Sequence, residues 1–234
     1  MDIRRALNAT GRNIRNHGYS AAAYDLTVRL TNRLITYRRL QCLVVEQPDP
    51  SYLILPSPFR CIRLQAADLQ RFALLPEYEL DAEFLQDAGR KGDECFAVFQ
   101  GDSLASYSWY SREPTRINHA LELQFDGRYR YMYKGFTLHS FRGHRLYPTG
   151  VTIALNAYRS EGYKGLLAYV EAQNFDSLKS CYRMGYRPCG HIRYFKIGKK
   201  YKVLAHSACR QYSLRLYQVD AARTAKNSRI ARAS

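Results

Sequence analysis

Four residues along one stretch of the sequence have types and spacing suited to chemistry: Gly143 in a basic turn, Asn174 after an apolar run, and Ser177 and Cys181 four residues apart. Gly143 sits within Ser140-Phe141-Arg142-Gly143-His144-Arg145-Leu146, where a glycine lets the backbone bend until several N–H groups face one hollow. A helical pattern starts there, so unpaired N–H groups and the positive end of a helix dipole would meet at the same point, a ready site for phosphate or pyrophosphate. Arg142 and Arg145 add charge nearby. The amide of Asn174 can bond an extended ligand or hold two strands apart; alone it reads as a loop cap. Ser177 and Cys181 share one helical face, and Cys181 alone reads as a small buried hydrophobe. The set in this order carries more meaning than any member.

The surrounding pattern supplies elements to position these groups. Tyr131 to His139 alternates as a strand, a helix follows from about Tyr147 to Glu161, and Leu166-Leu167-Ala168-Tyr169-Val170 is an apolar strand ending at Asn174. A second helix carries Ser177, Cys181 and Tyr182 and stops at Gly185-Tyr186. Upstream, Arg60 to Leu64 reads as the first strand of the main domain, Asp68 as the cap of helical material that Pro76 splits, and Glu94 to Tyr110 as a hairpin turning at Gly101. Trp109 in its second arm suits core packing, with a place in a substrate cleft as the alternative. Ala120 to Phe125 alternates, with Glu122 pointing away from Leu121 and Leu123. His191 to Ala205 reads as a basic hairpin.

Residues 1–19 are polar and basic. Ser20 can cap a helix running to about Leu40, with Leu26, Leu30, Leu34, Tyr37 and Leu40 on one row and arginines off it. This is either a helix packed on the main domain or an interfacial helix on anionic lipid. Prolines at 48, 50, 56 and 58 mark an extended connector, so the domain boundary is placed there: a basic N-terminal extension over 1–50, a main domain over 60–210, and from about Asp220 a basic tail too poor in apolar groups to pack.

Composition narrows the function. The 234 residues are 46% hydrophobic, enough for a sizeable core. The net charge of +16 favours anions, whether nucleic acid, anionic lipid or a phosphorylated ligand, and by itself does not choose among them. The six cysteines form no CxxC pair and no apolar signal region precedes them, which points to reduced thiols in the cytoplasm. The longest apolar runs are about five residues, against roughly 20 needed to span a membrane. His139 and His144 lack partners at ligand spacing, so no metal is expected.

The segment resembles the GCN5-related N-acetyltransferase (GNAT) superfamily. Ser140 to Tyr147 is similar to that family's pyrophosphate loop, Gln/Arg-x-x-Gly-x-Gly/Ala. Asn174-Phe175-Asp176-Ser177 followed by Gly185-Tyr186 is similar to its Asn-x-x-Ser/Ala and Gly-Phe/Tyr block, and Glu94 to Tyr110 to its early hairpin. The resemblance covers about residues 60 to 205. It implies an α/β (α+β) fold: a mixed, mostly antiparallel central sheet flanked by helices, with two splayed parallel strands admitting the pantetheine arm of acetyl-CoA. The cofactor set it implies is Leu138, His139, Arg142, Gly143, His144, Arg145, Leu146, Tyr147, Asn174 and Ser177. The family mechanism is direct attack of an amine on the thioester, with a base or a water chain to take the amine proton and an acid for the leaving thiolate. Glu122 is the candidate base and His139 the runner-up. The family's frequent tyrosine acid falls at Cys181, with Tyr182 next to it, turned about 100° away; the acid is Cys181, Tyr182 or neither. Ser140 and Arg145 also depart from the pattern, and Arg145 would either crowd the cofactor or pair with its phosphate.

The expected activity is transfer of an acetyl group from acetyl-CoA to an amine of a small molecule or amino sugar. The alternatives are a catalytically degenerate member that binds without turnover and an aminoacyl-tRNA-dependent transferase on a related fold. The expected partners are a small amine acceptor and peripheral contact with an anionic membrane surface; nucleic acid is not expected.

Overall fold

The computed structural model describes residues 36–219 apart from Lys199, together with residues 18–20, 23, 24 and 27. Strand β1 (Tyr37–Val45) is followed by β2 (Phe59–Gln65), helix α1 (Ala82–Lys91), β3 (Glu94–Gln100), β4 (Ser103–Ser111), β5 (Thr115–Arg116) and β6 (Leu121–Gln124). Then come β7 (Tyr129–Thr137), α2 (Leu146–Ser160), β8 (Gly165–Glu171), α3 (Phe175–Arg183), β9 (Arg187–Ile197), β10 (Lys200–Ala205) and β11 (Arg215–Gln218). Eight strands form one sheet in the order β10-β9-β1-β8-β7-β4-β3-β2, and β11-β6-β5 form a second, smaller one. The fold is thus the mixed, mostly antiparallel sheet flanked by helices that the sequence led us to expect.

Tyr37–Val45 corrects the C-terminal end of the helix expected from Ser20 to about Leu40, and with it the 1–50 extension. These residues are not helical; they form a central strand between β8 and β9, with Leu43 and Val44 fully buried. The three- and four-residue spacing of Tyr37 and Leu40 continued a helical row by coincidence, while Leu43-Val44-Val45 is an apolar, β-branched run that suits a strand buried on both faces. The sheet therefore begins before the proline-rich connector. Of the rest of the helix expected over 20–40, Ser20, Ala23, Tyr24 and Thr27 are helical, and most of its other residues before Thr36 and the basic tail lie outside the described residues. The expected helical region after Asp68 is two 3-10 segments, Ala66–Leu74 and Pro76–Tyr78, and then α1, which Asp81 caps by accepting from the Phe84 N–H at 2.7 Å.

The core lies on both faces of the large sheet. On one face α2 and α3 pack Val151, Leu155, Tyr158 and Cys181 against Leu43, Val45 and Phe96. On the other, the small sheet brings Leu121, Leu123 and Leu216 onto Leu40, Cys42 and Val44. Beside it, Leu69, Phe72 and Leu85 cover Ala97 and Trp109. Trp109 is 0% exposed and meets the Phe84 ring edge-on at 5.1 Å, so it packs in the core.

Among the described residues, one pairing in the large sheet is parallel. β7 and β8 pair through Tyr129–Gly165, Arg130–Leu166 and Tyr131–Leu167. Beyond Tyr131 the pairing stops. On the other side of β7, Met132 faces Tyr110 and Lys134 faces Trp109, which leaves Tyr133 as the extra residue of a β-bulge.

Gly165 starts β8 where β1 crosses closest. A Cβ there would lie 2.2 Å from the Val45 carbonyl oxygen and 2.9 Å from Glu46 Cα. Neither backbone atom can swing aside, so Gly165→Ala should destabilise the fold by about 3 kcal/mol. Urea titration should show a lower midpoint with an unchanged slope.

Candidate functional site

The end of the β7–β8 pairing opens a cleft of about 750 Å³. Its walls are the diverging ends of the two strands, Met132 to Thr137 on β7 and Tyr169 to Glu171 on β8. Arg142, Tyr147 and Pro148 close one end, and Asn174, Asp176, Ser177, Ser180 and Cys181 form the side contributed by α3.

The turn into α2 has the conformation its glycine was expected to allow. Gly143 has φ 90° and a Cβ there would meet no atom within 4 Å, so the position is glycine for its backbone angle rather than for space. Arg145 also has positive φ, 57°, and is the N-cap residue without a side-chain cap bond. Among the described residues no hydrogen bond uses the N–H of Gly143, His144, Arg145, Leu146 or Tyr147. Five unused donors and the positive end of a 15-residue helix thus follow directly on Arg142, whose Nε donates to the Thr137 carbonyl at 3.4 Å. The resulting hollow can hold a phosphate.

Asn174 is the N-cap of α3. Its Oδ1 accepts from the Ser177 N–H at 3.1 Å, which orients the helix so that Ser177, Ser180 and Cys181 face the cleft. Cys181 is buried, and burial pushes its thiol up to about 12. Tyr147, in the first turn of α2, lays its ring across Gly135 of β7. A Cβ at Gly135 would come within 2.4 Å of that ring. The Tyr147 hydroxyl donates to Met132 Sδ at 3.4 Å, and burial raises its pKa. Lys134 is half-buried, its Nζ donates to the Glu79 carbonyl at 2.7 Å, and burial lowers its pKa.

Of the residues singled out in the sequence, Arg142, Tyr147, Asn174, Ser177 and Cys181 meet in this cleft. Others do not line it. Leu138 packs against the core and His139 is exposed in a 3-10 turn. Gly143, His144 and Arg145 are exposed in the turn, so Arg145 does not crowd the cleft; Leu146 is buried against Val98 and Ala105. Tyr182 is 46% exposed on the outer side of α3, a helical step away from Cys181. Glu122 belongs to the small sheet, paired between Arg116 and Tyr217, which takes it out of the cleft wall. The sequence reading missed Tyr133, Lys134, Tyr169 and Glu171. One signal was available: Gly135 interrupts an alternating strand, a mark of close approach by another group.

No protein-family model matches the chain, and no curated protein matches it. Among solved structures it is similar to a putative acetyltransferase of the GNAT family from Novosphingobium aromaticivorans, at 12% identity over 67% of this chain and 62% of that one, with a TM-score of 0.49. The chain thus spans less than two thirds of that protein. It is also similar to an aminoglycoside acetyltransferase from an uncultured soil metagenomic sample, in complex with trehalose, at 14% identity over 53% of this chain and 85% of that one, with a TM-score of 0.41. A third is AAC(6')-Iy in complex with a bisubstrate analog, CoA-S-monomethyl-acetylneamine, at 14% identity over 55% and 90%, with a TM-score of 0.44.

The raised Cys181 thiol gives stability a pH dependence. Its folded pKa, about 12, lies above the ordinary thiol value, so the folded state keeps a proton that the unfolded chain releases. The contribution is fully present below about pH 9 and is lost as pH rises toward 12. Cys181→Ala should flatten the fall in unfolding free energy between pH 9 and 11, read from urea titrations, by up to about 1.4 kcal/mol per pH unit, the share of one proton.

Proposed function

We propose that this chain is an acetyl-CoA-dependent N-acyltransferase of the GNAT type that acetylates an amine on a small molecule such as an amino sugar. The observation that carries the reading is the cleft itself: parallel strands that part after Tyr131 and Leu167 and lead to a helix N-terminus with unused N–H groups. The pyrophosphate of the donor suits the turn from Arg142 to Tyr147, where backbone donors and the helix dipole favour an anion. The pantetheine arm, an extended chain with amides, suits the gap where both strands have lost their ladder partners.

The bound thioester supplies the acyl carbon. An amine attacks that carbon, a C–N bond forms, the C–S bond breaks to release the sulfur as a thiolate, and the proton the nitrogen loses passes to a base or a water chain. Cys181 faces the cleft with its proton held more tightly than in an ordinary thiol. It is therefore suited to hydrogen-bond the leaving sulfur rather than to give up a proton to it. Glu122 and His139 are both away from the cleft, so in this reading neither takes the amine proton directly.

Titration calorimetry with acetyl-CoA tests the reading. The wild type should bind in the micromolar range. Gly143→Glu forces a side chain onto a backbone with φ 90° and adds a negative charge to the turn proposed for the pyrophosphate, and should abolish binding. Asn174→Ala should weaken binding and also remove a cap worth about 1 kcal/mol. A well-folded wild type that does not bind overturns the proposal. Binding without thiol release across a panel of amines would identify the chain as the non-catalytic binder instead.

A further inference from the structure

Behind one wall of the cleft lies a polar cluster that the acyl-transfer chemistry has not yet used. Tyr133, the bulged residue of β7, lines the cleft, and its hydroxyl donates to Asp93 Oδ2 at 2.8 Å. The same carboxylate oxygen accepts from Lys91 Nζ at 2.7 Å. Asp93 is 0% exposed, and its second oxygen, Oδ1, has no hydrogen-bond partner among the described residues. A buried carboxylate with an idle oxygen is costly to keep, so its placement calls for a use.

The geometry fixes the polarity of Tyr133. A phenol has one proton, and here that proton points at a carboxylate oxygen, which can only accept. Towards any other group Tyr133 presents lone pairs. Burial, with Asp93 beside it, raises the Tyr133 pKa, so the hydroxyl stays protonated and this polarity persists. The ring is held in place by the Tyr131 ring stacked at 6.0 Å, the Phe84 ring at 6.0 Å and Lys91 Nζ 4.8 Å over its face. The neighbouring cation on the same wall, Lys134, is turned to the Glu79 carbonyl. A ligand that reaches the Tyr133 oxygen from the cleft would meet a fixed acceptor, and the ligand atom that suits it carries a hydrogen.

We propose that Tyr133, with its proton held by Asp93, accepts a hydrogen bond from the N–H of the attacking amine and aims the nitrogen lone pair at the acyl carbon. Asp93 is then a positioning residue that acts through Tyr133, and Lys91 holds Asp93. The assignment rests on the acyltransferase reading and names the group that orients the acceptor.

Steady-state kinetics of Tyr133→Phe, Asp93→Asn and the double variant, each with a melting curve and an acetyl-CoA titration, test it. Y133F removes only the oxygen. It should lower kcat about 10- to 100-fold by loosening the attack geometry, with acetyl-CoA affinity unchanged. The amide introduced by D93N can donate to Tyr133 and turn the phenol proton into the cleft, so D93N should lower kcat similarly. The double variant should be no worse than Y133F, because the two residues act as a unit. D93N also leaves the Lys91 ammonium without its carboxylate, so where D93N does not fold, Y133F alone decides. Y133F with wild-type kcat, or a double variant whose loss is the product of the single losses, overturns the proposal. A wild type that binds acetyl-CoA but acetylates no amine overturns it too while leaving the donor cleft intact. A wild type that does not bind acetyl-CoA fails the acyltransferase reading itself.

Discussion

Two parallel strands that stop pairing leave N–H and C=O groups on both facing edges without ladder partners, and β7 and β8 do so after Tyr131 and Leu167. Such an opening inside a sheet is unstable unless both strands are held from their other sides. β7 is held by β4 and β8 by β1, both antiparallel and both long. The bulge at Tyr133 changes the course of β7 at the point where the pairing ends, and α2 and α3 pack across the same region. The cleft is therefore a gap in hydrogen bonding kept open by packing on every other side.

Each end of the gap has its own chemistry. At one end the α2 N-terminus, the Gly143 turn and Arg142 concentrate donors and positive charge. Along the strands the wall carries the rings of Tyr133, Phe136 and Tyr169, and several side chains have set directions: Tyr147 over Gly135, Lys134 towards Glu79, Tyr133 towards Asp93. The α3 side presents small groups, Ser177, Ser180 and Cys181, with a thiol that burial keeps protonated. A ligand long enough to lie along the whole cleft would meet an anion site, an extended backbone and a preset acceptor in turn.

Much of this was legible from local chemistry. Gly143 could be placed because a positive φ is a property of one residue, and Asn174 because a cap bonds its own helix three residues on. The shared face of Ser177 and Cys181 follows from helical periodicity alone. The membership of β1 was not legible, because Tyr37 and Leu40 fit a helical row and a strand equally well, and only pairing with β8 and β9 separates the two. Glu122 failed for a related reason. Alternation showed which side of its strand it takes, not that the strand belongs to a different sheet.

The sequence by itself determined the local pieces: the glycine turn, the capped helix, the hairpin, and a basic, aromatic-rich chain with a core of ordinary size. Only the tertiary structure decided which pieces face one another. It brought Asp93, from the link between α1 and β3, to the hydroxyl of Tyr133 across 40 positions of chain, and laid Tyr147 over Gly135. Turns, caps and helical faces depend on residues a few positions apart, so they can be read along the chain. Contacts between strands and across sheets depend on the order and register of strands far apart in sequence, and those are set when the whole core packs.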